Sequence, residues 1–377
     1  MNPPPAPRAG RPVSRREFLE RCTLGGAALL ALGSRTAATA AETPPRKLGV
    51  ALVGLGGYSS GQLGPALRET QHCRLAGVVT GSPAKGAQWA RDYGFSEKNV
   101  YGYANMARLA DNPDIDVVYV VTPNGLHAEH AIAAARAGKH VLCEKPMART
   151  VEECDAILAA CAAAKVRLSI GYRLHFDPYH EELRRLVRTR EFGPFLKMRG
   201  GFAFHMGTAQ WRATKALAGG GPLMDLGVYV IQESCMGGGA EPVAVTARER
   251  PKQRPEFFRD VEESIEWTLE FADGARSECY TSYNDGRNDF RAEAADGWFE
   301  VKPAFSYRDL HGATSRGPLS FTPPVNQQAR QMDDFAQCIL TGRATPVPGE
   351  MGRRDLRIIE AIYASAATQG RRVGIKA

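Results

Sequence analysis

Residues 50–59, Val50-Ala51-Leu52-Val53-Gly54-Leu55-Gly56-Gly57-Tyr58-Ser59, constrain this chain more than any other stretch. A short apolar run ends in Gly-x-Gly and gives way to a segment with helical character. The pattern predicts the first strand and turn of a dinucleotide-binding βαβ unit. Gly54 allows the tight turn and Gly56 lets the backbone approach a pyrophosphate. The helix beyond Gly57 and Tyr58 points free N–H groups at phosphate charge. The third fingerprint position is Ser59, small enough for close helix–strand packing. Such a turn also occurs as a plain structural turn, so the reading depends on the strands and helices downstream of it.

The first forty residues read as an export signal. Ser14-Arg15-Arg16-Glu17-Phe18-Leu19 is a twin-arginine pattern, followed by an apolar stretch from Cys22 to Gly33 and a small-residue cleavage site at Ala38-Thr39-Ala40. The apolar stretch is too short to span a bilayer, which takes ~20 residues. Periplasmic localisation through the twin-arginine machinery is therefore expected. That route carries folded proteins, often with a cofactor inside, and the periplasm offers no nicotinamide pool. The expectation is a cofactor loaded before export and not released between turnovers.

Removing residues 1–40 leaves 337 of the 377 residues, enough for two domains with real cores. The removed six Arg and two Glu bring the formal charge from +7 to +3. No basic run with interleaved aromatics remains, so nucleic acid is not an expected partner. The remaining cysteines (Cys73, Cys143, Cys154, Cys161, Cys235, Cys279 and Cys338) are scattered, odd in number and without C-x-x-C. Neither a metal site nor a disulfide framework is indicated, and most should be small buried residues.

Residues 46–171 read as the dinucleotide-binding domain. Residues 74–80 form a second strand whose end would carry an acidic residue in an NAD-binding fold. Here stand Thr80, Gly81, Ser82, Pro83, Ala84 and Lys85, with no carboxylate. Hydroxyls and a lysine at a helix start suit a 2′-phosphate, which favours NADP; the plainer reading is a solvated Lys85. Ser82 is placed to cap that helix, with Pro83 at its first position. Residues 116–121 are a continuous apolar run, as for a parallel strand buried on both faces. The run ends in Thr122-Pro123-Asn124, and a helix over 126–137 carries His127 and His130, read as packing or hydrogen-bonding residues and not metal ligands. The strand at 140–143 ends in Glu144-Lys145-Pro146, which puts Lys145 at the crevice where doubly wound folds bind ligands. The following Pro146 restricts its direction, more so if that bond is cis. A helix over 151–164 and a strand over 166–171 complete the βα alternation of a parallel sheet.

From residue 172 to 377 the pattern becomes α+β. Longer strands of antiparallel character run over 195–204, 243–248, 264–271 and 275–283, the last two joined by a hairpin turn at Ala272-Asp273-Gly274. The fold class is α/β: a doubly wound Rossmann domain followed by an α+β domain with a large, mainly antiparallel open sheet. Gly219-Gly220-Gly221-Pro222 leads into a helix in which Asp225 and Tyr229 stand four apart and share a face. A phenol ordinarily titrates near ~10. A neighbouring ammonium such as Lys145 would ease its proton exchange, with Asp225 orienting the pair or a substrate hydroxyl. An ordinary amphipathic helix with Tyr229 in the core fits the spacing equally well.

Gly54-Leu55-Gly56, Thr122-Pro123-Asn124, Cys143-Glu144-Lys145-Pro146-Met147-Ala148, Gly171-Tyr172-Arg173, Gln210-Trp211-Arg212 and the stretch from Gly219 to Tyr229 occur in this order. In this the chain resembles the family of glucose–fructose oxidoreductase and inositol dehydrogenase over nearly its whole mature length. It is most similar to the exported glucose–fructose and aldose–aldose branches, since many relatives carry His where Tyr229 stands. The resemblance implies Tyr229 as general acid–base, Lys145 on the reacting sugar hydroxyl and Asp225 orienting the substrate. Arg173, Trp211 and Arg212 would lie at the sugar and cofactor pocket, with Glu144 and His127 beside the cofactor. Thr80 and Lys85 match positions that hold the 2′-phosphate of NADP. The closing helix, near 349–367, would pack back on the nucleotide domain, and a homo-oligomer would form through the open sheet. Only residues 41–46 separate the cleavage site from the first strand, where the glucose–fructose enzyme has a long proline-rich arm. That shifts weight toward the aldose–aldose type. The expected activity is oxidation of an aldose at C1 to a lactone, with reduction of a second sugar to an alditol on a retained NADP. An aldose dehydrogenase that releases NADPH, an exported NAD-dependent glycosidase or epimerase, and a non-catalytic sugar or nucleotide sensor stand as alternatives.

Overall fold

The computed structural model describes residues 46–376; the export signal expected at 1–40 lies outside them. Strands β1 (Leu48–Val53), β2 (Cys73–Val79), β3 (Val100–Tyr101), β4 (Val117–Val120), β5 (His140–Cys143) and β6 (Leu168–Ile170) form a parallel sheet in the order β3-β2-β1-β4-β5-β6. Each strand is short and apolar because both faces are covered. Along β1, Val50 and Leu52 enter one core while Ala51 and Val53 enter the other, as a two-residue period requires. Helices α1 (Gly64–Glu69), α2 (Pro83–Tyr93), α3 (His127–Arg136) and α4 (Val151–Ala164) connect the strands. Ser82 caps α2 by accepting from the Lys85 backbone N–H at 3.4 Å, and Thr150 caps α4 through Glu153 N–H at 3.2 Å. The strand order reverses between β1 and β4, so the crevice at their carboxyl ends is the switch point of the fold.

The second sheet has nine strands: β7 (Lys197–Ala203), β8 (Ala244–Glu249), β9 (Ser264–Glu270), β10 (Arg276–Ser282), β11 (Arg287–Ala294), β12 (Gly297–Val301), β13 (Gly312–Thr314), β14 (Gly317–Leu319) and β15 (Val373–Gly374). They are ordered β14-β13-β12-β11-β7-β10-β9-β8-β15, all antiparallel except the parallel β7–β10 pair. The hairpin between β9 and β10 closes at Gly274, whose φ of +90° only glycine adopts without strain. Helices α5 (Pro178–Thr189) and α6 (Val228–Gly238) pack with this sheet. Every residue of α6 from Val228 to Gly237 is buried.

Two further helices close the chain, α7 (Gln327–Thr341) and α8 (Gly349–Ala367). The last helix does return to the nucleotide domain, but it is not confined to it, and a second helix docks there as well. Helix α8 packs on α4 and β6 but equally across β8 of the second sheet. Helix α7 docks one face on the first domain: Ala329, Met332, Phe335 and Ala336 join the core of Leu48, Leu52 and Leu67. Burial of Met332 and Phe335 contributes roughly 1.5–3 kcal/mol each, and Asp333 accepts the backbone N–H groups of Gln71 (2.8 Å) and His72 (2.7 Å). Among the described residues the seven cysteines are free and buried, no cluster suits a metal ion, and no helix is long and apolar enough to cross a membrane.

Candidate active site

At the end of β1, Gly54 adopts φ +96° and turns the chain away from the sheet. Ser59 is buried, and its hydroxyl donates to the Gly54 carbonyl at 2.6 Å, so the unusual third fingerprint residue ties the turn to its helix. That helix opens with a π-turn, Ser59–Leu63, a widening that recurs at functional sites. A Cβ at Gly56 or Gly57 would meet nothing within 4 Å, so both glycines face open space. The space is a groove of about 830 Å³. Thr80, Ser82 and Lys85 line one end, Thr122 and Pro123 its middle, and Trp211 and Arg212 reach over it from the second domain. Thr80 Oγ1 accepts from Ser82 N–H at 3.2 Å, and the Lys85 ammonium donates to the Leu55 carbonyl.

No carboxylate lines this groove. An acid at the end of β2 would grip ribose hydroxyls; the lysine and hydroxyls found there fit the extra phosphate of NADP. If NADP stays with the protein through purification, changing Lys85 to Glu should cut the amount recovered at least tenfold, because a carboxylate repels the 2′-phosphate. Nucleotide content measured after denaturation checks this, and unchanged NADP would contradict it.

The groove opens into a second cavity of about 670 Å³, and the two share Tyr58, Thr122, Trp211, Arg212 and Tyr307. Lys145, Asp225 and Tyr229 meet there. The Lys145–Pro146 peptide is cis. The Lys145 ammonium donates to the Asp225 carbonyl at 2.7 Å and to its Oδ1 at 3.3 Å. Asp225 Oδ2 accepts from Arg212 Nε at 2.8 Å and from the Tyr283 hydroxyl at 3.0 Å. Burial alone would raise this carboxyl, but Lys145, Arg212 and the Tyr283 hydrogen bond prevail and hold it down at about 2. It stays ionised over the physiological range.

The sign of that shift predicts acid behaviour. A carboxyl lowered on folding stabilises the protein above its unfolded value of 3.8 and loses that contribution as pH falls toward 2. Asp225→Asn should therefore remove on the order of 2 kcal/mol of the stability that wild type loses between about pH 5 and 2. Urea midpoints across that range measure it, and identical pH slopes for the two proteins would contradict it.

One geometric expectation changes. Asp225 and Tyr229 do not stand on one regular helix: a π-turn, Leu223–Gly227, precedes α6. The triple glycine leads into it, anchored by the Glu262 carboxylate, which accepts from Gly221 N–H (2.9 Å) and Leu223 N–H (3.0 Å). A Cβ at Gly221 would lie 2.1 Å from the Glu262 carbonyl oxygen. The Lys145 ammonium lies over the Tyr229 ring, 4.5 Å from the centroid. The hydrogen bond to the Tyr229 oxygen comes from Arg173 Nε at 3.3 Å.

The other expected residues sort by what their polar atoms do. Arg173 is buried and spends its guanidinium on the carbonyls of Ser306 (2.9 Å) and Phe305 (2.6 Å) and on Gln327. His127 has both ring nitrogens on carbonyls, Pro146 and Thr122, each at 2.8 Å. Burial pushes its imidazole down, to about 4, despite those carbonyls. The neutral imidazole donates its one N–H to one of these carbonyls, and the ring sits between the Lys145 and Thr122 loops. Asn124 donates to Ala218 at 2.9 Å, and Glu144 accepts from Tyr119 at 2.6 Å. All four line the cavity, yet these bonds lie within the protein. Tyr58 stacks on Tyr307 at 5.9 Å across the boundary between groove and cavity. Tyr283 and Tyr307 were not anticipated. Tyr283 reads in sequence as one more residue of a strand end, and Tyr307 sits in a loop with no motif.

A glycine-turned groove suited to a dinucleotide, opening onto a buried lysine, carboxylate and phenol, defines an NAD(P)-dependent oxidoreductase. Comparison with known proteins narrows the class. Residues 48–172 match the oxidoreductase family with an NAD-binding Rossmann fold, and residues 180–301 match the GFO/IDH/MocA C-terminal domain. The chain belongs to this GFO/IDH/MocA oxidoreductase family. Its relatives include NADP-dependent D-xylose 1-dehydrogenases from Haloarcula marismortui, 29% identical over 88% of this chain and 93% of the relative, and from Haloferax volcanii, 30% identical over 84% and 97%. Among solved structures, the aldose-aldose oxidoreductase of Caulobacter crescentus, complexed with glycerol, is 43% identical. It superposes with a TM-score of 0.85 over 87% of this chain and 100% of that one.

Proposed function

We propose that this protein is a periplasmic sugar oxidoreductase that keeps NADP bound, oxidises an aldose at C1 to its lactone, and reduces a second aldose or ketose to an alditol in ping-pong fashion. The observation that carries the reading is the direct opening of an acid-free groove onto the cavity of Lys145, Asp225 and Tyr229. Gly54, Gly56, Gly57, Thr80 and Lys85 would hold the cofactor, which supplies a hydride acceptor and then a hydride donor beside the sugar. Phe202, Phe204 and Trp211 give the cavity aromatic walls for the carbon face of a sugar, while Asp225 and Lys145 offer an ionised acceptor and a donor for its hydroxyls. In the oxidising half-reaction the Tyr229 oxygen takes the C1 hydroxyl proton as the carbonyl of the lactone forms. In the reducing half-reaction it returns that proton to the new hydroxyl of the alditol. Lys145 and Arg173, on the ring face and on the oxygen, stabilise the phenolate that takes the proton in the first half-reaction and is left again when the proton is returned in the second; between the two the phenol is neutral. The twin-arginine signal and the similarity to an aldose-aldose oxidoreductase support the retained-cofactor form over one that releases NADPH.

The test is to incubate purified mature protein with pairs of aldoses and no added nucleotide. Lactone and alditol should accumulate in equal amounts through many turnovers. Product formation that stops after one equivalent, and resumes only with added NADP, would replace this reading with a dehydrogenase that exchanges its cofactor.

A further inference from the structure

Arg173 is an unusual neighbour for a catalytic phenol. It is only 2% exposed, and none of the described ion pairs includes its guanidinium. A buried charge of this kind persists only where dipoles solvate it. Here the carbonyls of Phe305 and Ser306 do so on one side, and the Gln327 amide oxygen on another. The Gln327 side chain, 1% exposed at the start of α7, continues outward: its Nε2 donates to Asp177 Oδ2 at 2.9 Å. Asp177, 4% exposed, meets His180 Nδ1 through its other oxygen at 3.1 Å. His180 is fully buried, with Nε2 3.3 Å from Glu233 Oε2, and Glu233 lies one helical turn beyond Tyr229 on α6. A chain of hydrogen bonds thus runs from the phenol through Arg173, Gln327 and Asp177 to His180, whose Nε2 lies close to Glu233, on the helix that carries the phenol, without a hydrogen bond to it. Neither Gln327 nor Asp177 lines the cavity or the groove.

We propose that Gln327 and Asp177 are positioning residues for the acid–base group, acting solely through Arg173 to fix the guanidinium on the Tyr229 oxygen. This rests on the acid–base role proposed for Tyr229. Gln327 can serve both neighbours only in one orientation, oxygen to Arg173 and nitrogen to Asp177, and the Asp177 carboxylate selects that orientation because it can only accept. Burial would raise Asp177, but its bonds to His180, Gln327 and the Tyr179 N–H prevail and hold it below the usual carboxylate range, so it remains an acceptor. Without it the amide could turn and present its NH₂ to a cation. Arg173 would then lose an acceptor and shift, and a misplacement of ~1 Å can cost about 100-fold in rate. The site thus reaches into α7, a helix whose apolar face lies in the core of the nucleotide domain.

The experiment uses the holoprotein and two variants. Gln327→Met keeps the volume and removes both hydrogen bonds. Asp177→Asn keeps the Oδ1 acceptor that caps α5 and sets a donor against Gln327. Each should lower kcat for the oxidising half-reaction by about 10- to 100-fold, with sugar KM and bound nucleotide unchanged. In the Tyr229→Phe background each should cost nothing further, since they act through that hydroxyl. A loss that persists in that background, or one that appears in KM alone, would overturn the proposal. A second readout needs no turnover: in protein labelled with 3-fluorotyrosine, the ¹⁹F resonance that Tyr229→Phe removes should move in Gln327→Met. If that resonance stays in place, the positioning role is wrong; if it moves while wild type oxidises no sugar, the relay stands and the assigned reaction is wrong.

Discussion

Replacing Tyr229 with Phe will lower sugar oxidation by about 10²- to 10⁴-fold, the range for loss of a general acid–base group, and leave the nucleotide in place. The ring is packed edge-on against Phe202 at 5.7 Å and tilted on Phe305 at 6.2 Å, so Phe fills the same space. What is lost is the hydroxyl alone. Arg173 Nε is left without that acceptor, a cost of about 1–3 kcal/mol, small enough for the domain to remain folded. Gly54, Gly56, Thr80 and Lys85, proposed to hold the nucleotide, lie in the groove, which Tyr229 does not line. Single-turnover absorbance at 340 nm reports the half-reaction, and thermal denaturation reports the fold. A variant that turns over at the wild-type rate would remove Tyr229 from the chemistry.

Lys145→Met should be nearly as severe, with kcat down by about 10²- to 10³-fold, the usual effect of removing one preorganised charged donor. The methionine keeps most of the stem, and Asp225 retains Arg212 at 2.8 Å and the Tyr283 hydroxyl at 3.0 Å, so its carboxylate stays paired. The missing part is the ammonium on the Tyr229 ring face and the donor it presents to the sugar. Nucleotide content should match wild type. The outcome that contradicts the assignment is a raised KM with kcat intact, which would make Lys145 a binding residue and nothing more.

How far such a site is legible before folding depends on whether its parts are local in sequence. Gly54, Lys145 and Tyr229 each sit in a short motif whose geometry comes from strand ends and glycine turns, and the strands at 264–271 and 275–283 show plain alternation around Asp273-Gly274. What could not be read are meetings between distant segments. Tyr283 finds Asp225 only because β10 lies beside β7 and beneath the π-turn, and nothing in a strand-end tyrosine signals that partner. Arg173 was anticipated at the pocket but not on the Tyr229 oxygen, because its direction is set by the carbonyls of Phe305 and Ser306, more than 130 residues on. The spacing of Asp225 and Tyr229 suggested a regular helix. Instead the first turn is a π-turn, and the Glu262 carboxylate that caps its N–H groups comes from a distant segment. Helix α7 shows apolar periodicity in sequence, but not which of two sheets it will cover.

The central claim is that NADP is a resident part of this protein, and the most direct measurement is to denature freshly purified mature protein and identify the nucleotide released. The account predicts NADP at close to one equivalent per chain, retained through extensive dialysis and gel filtration. Recovery of NAD in its place, or of a protein that holds no nucleotide yet binds and releases NADP freely, would contradict it.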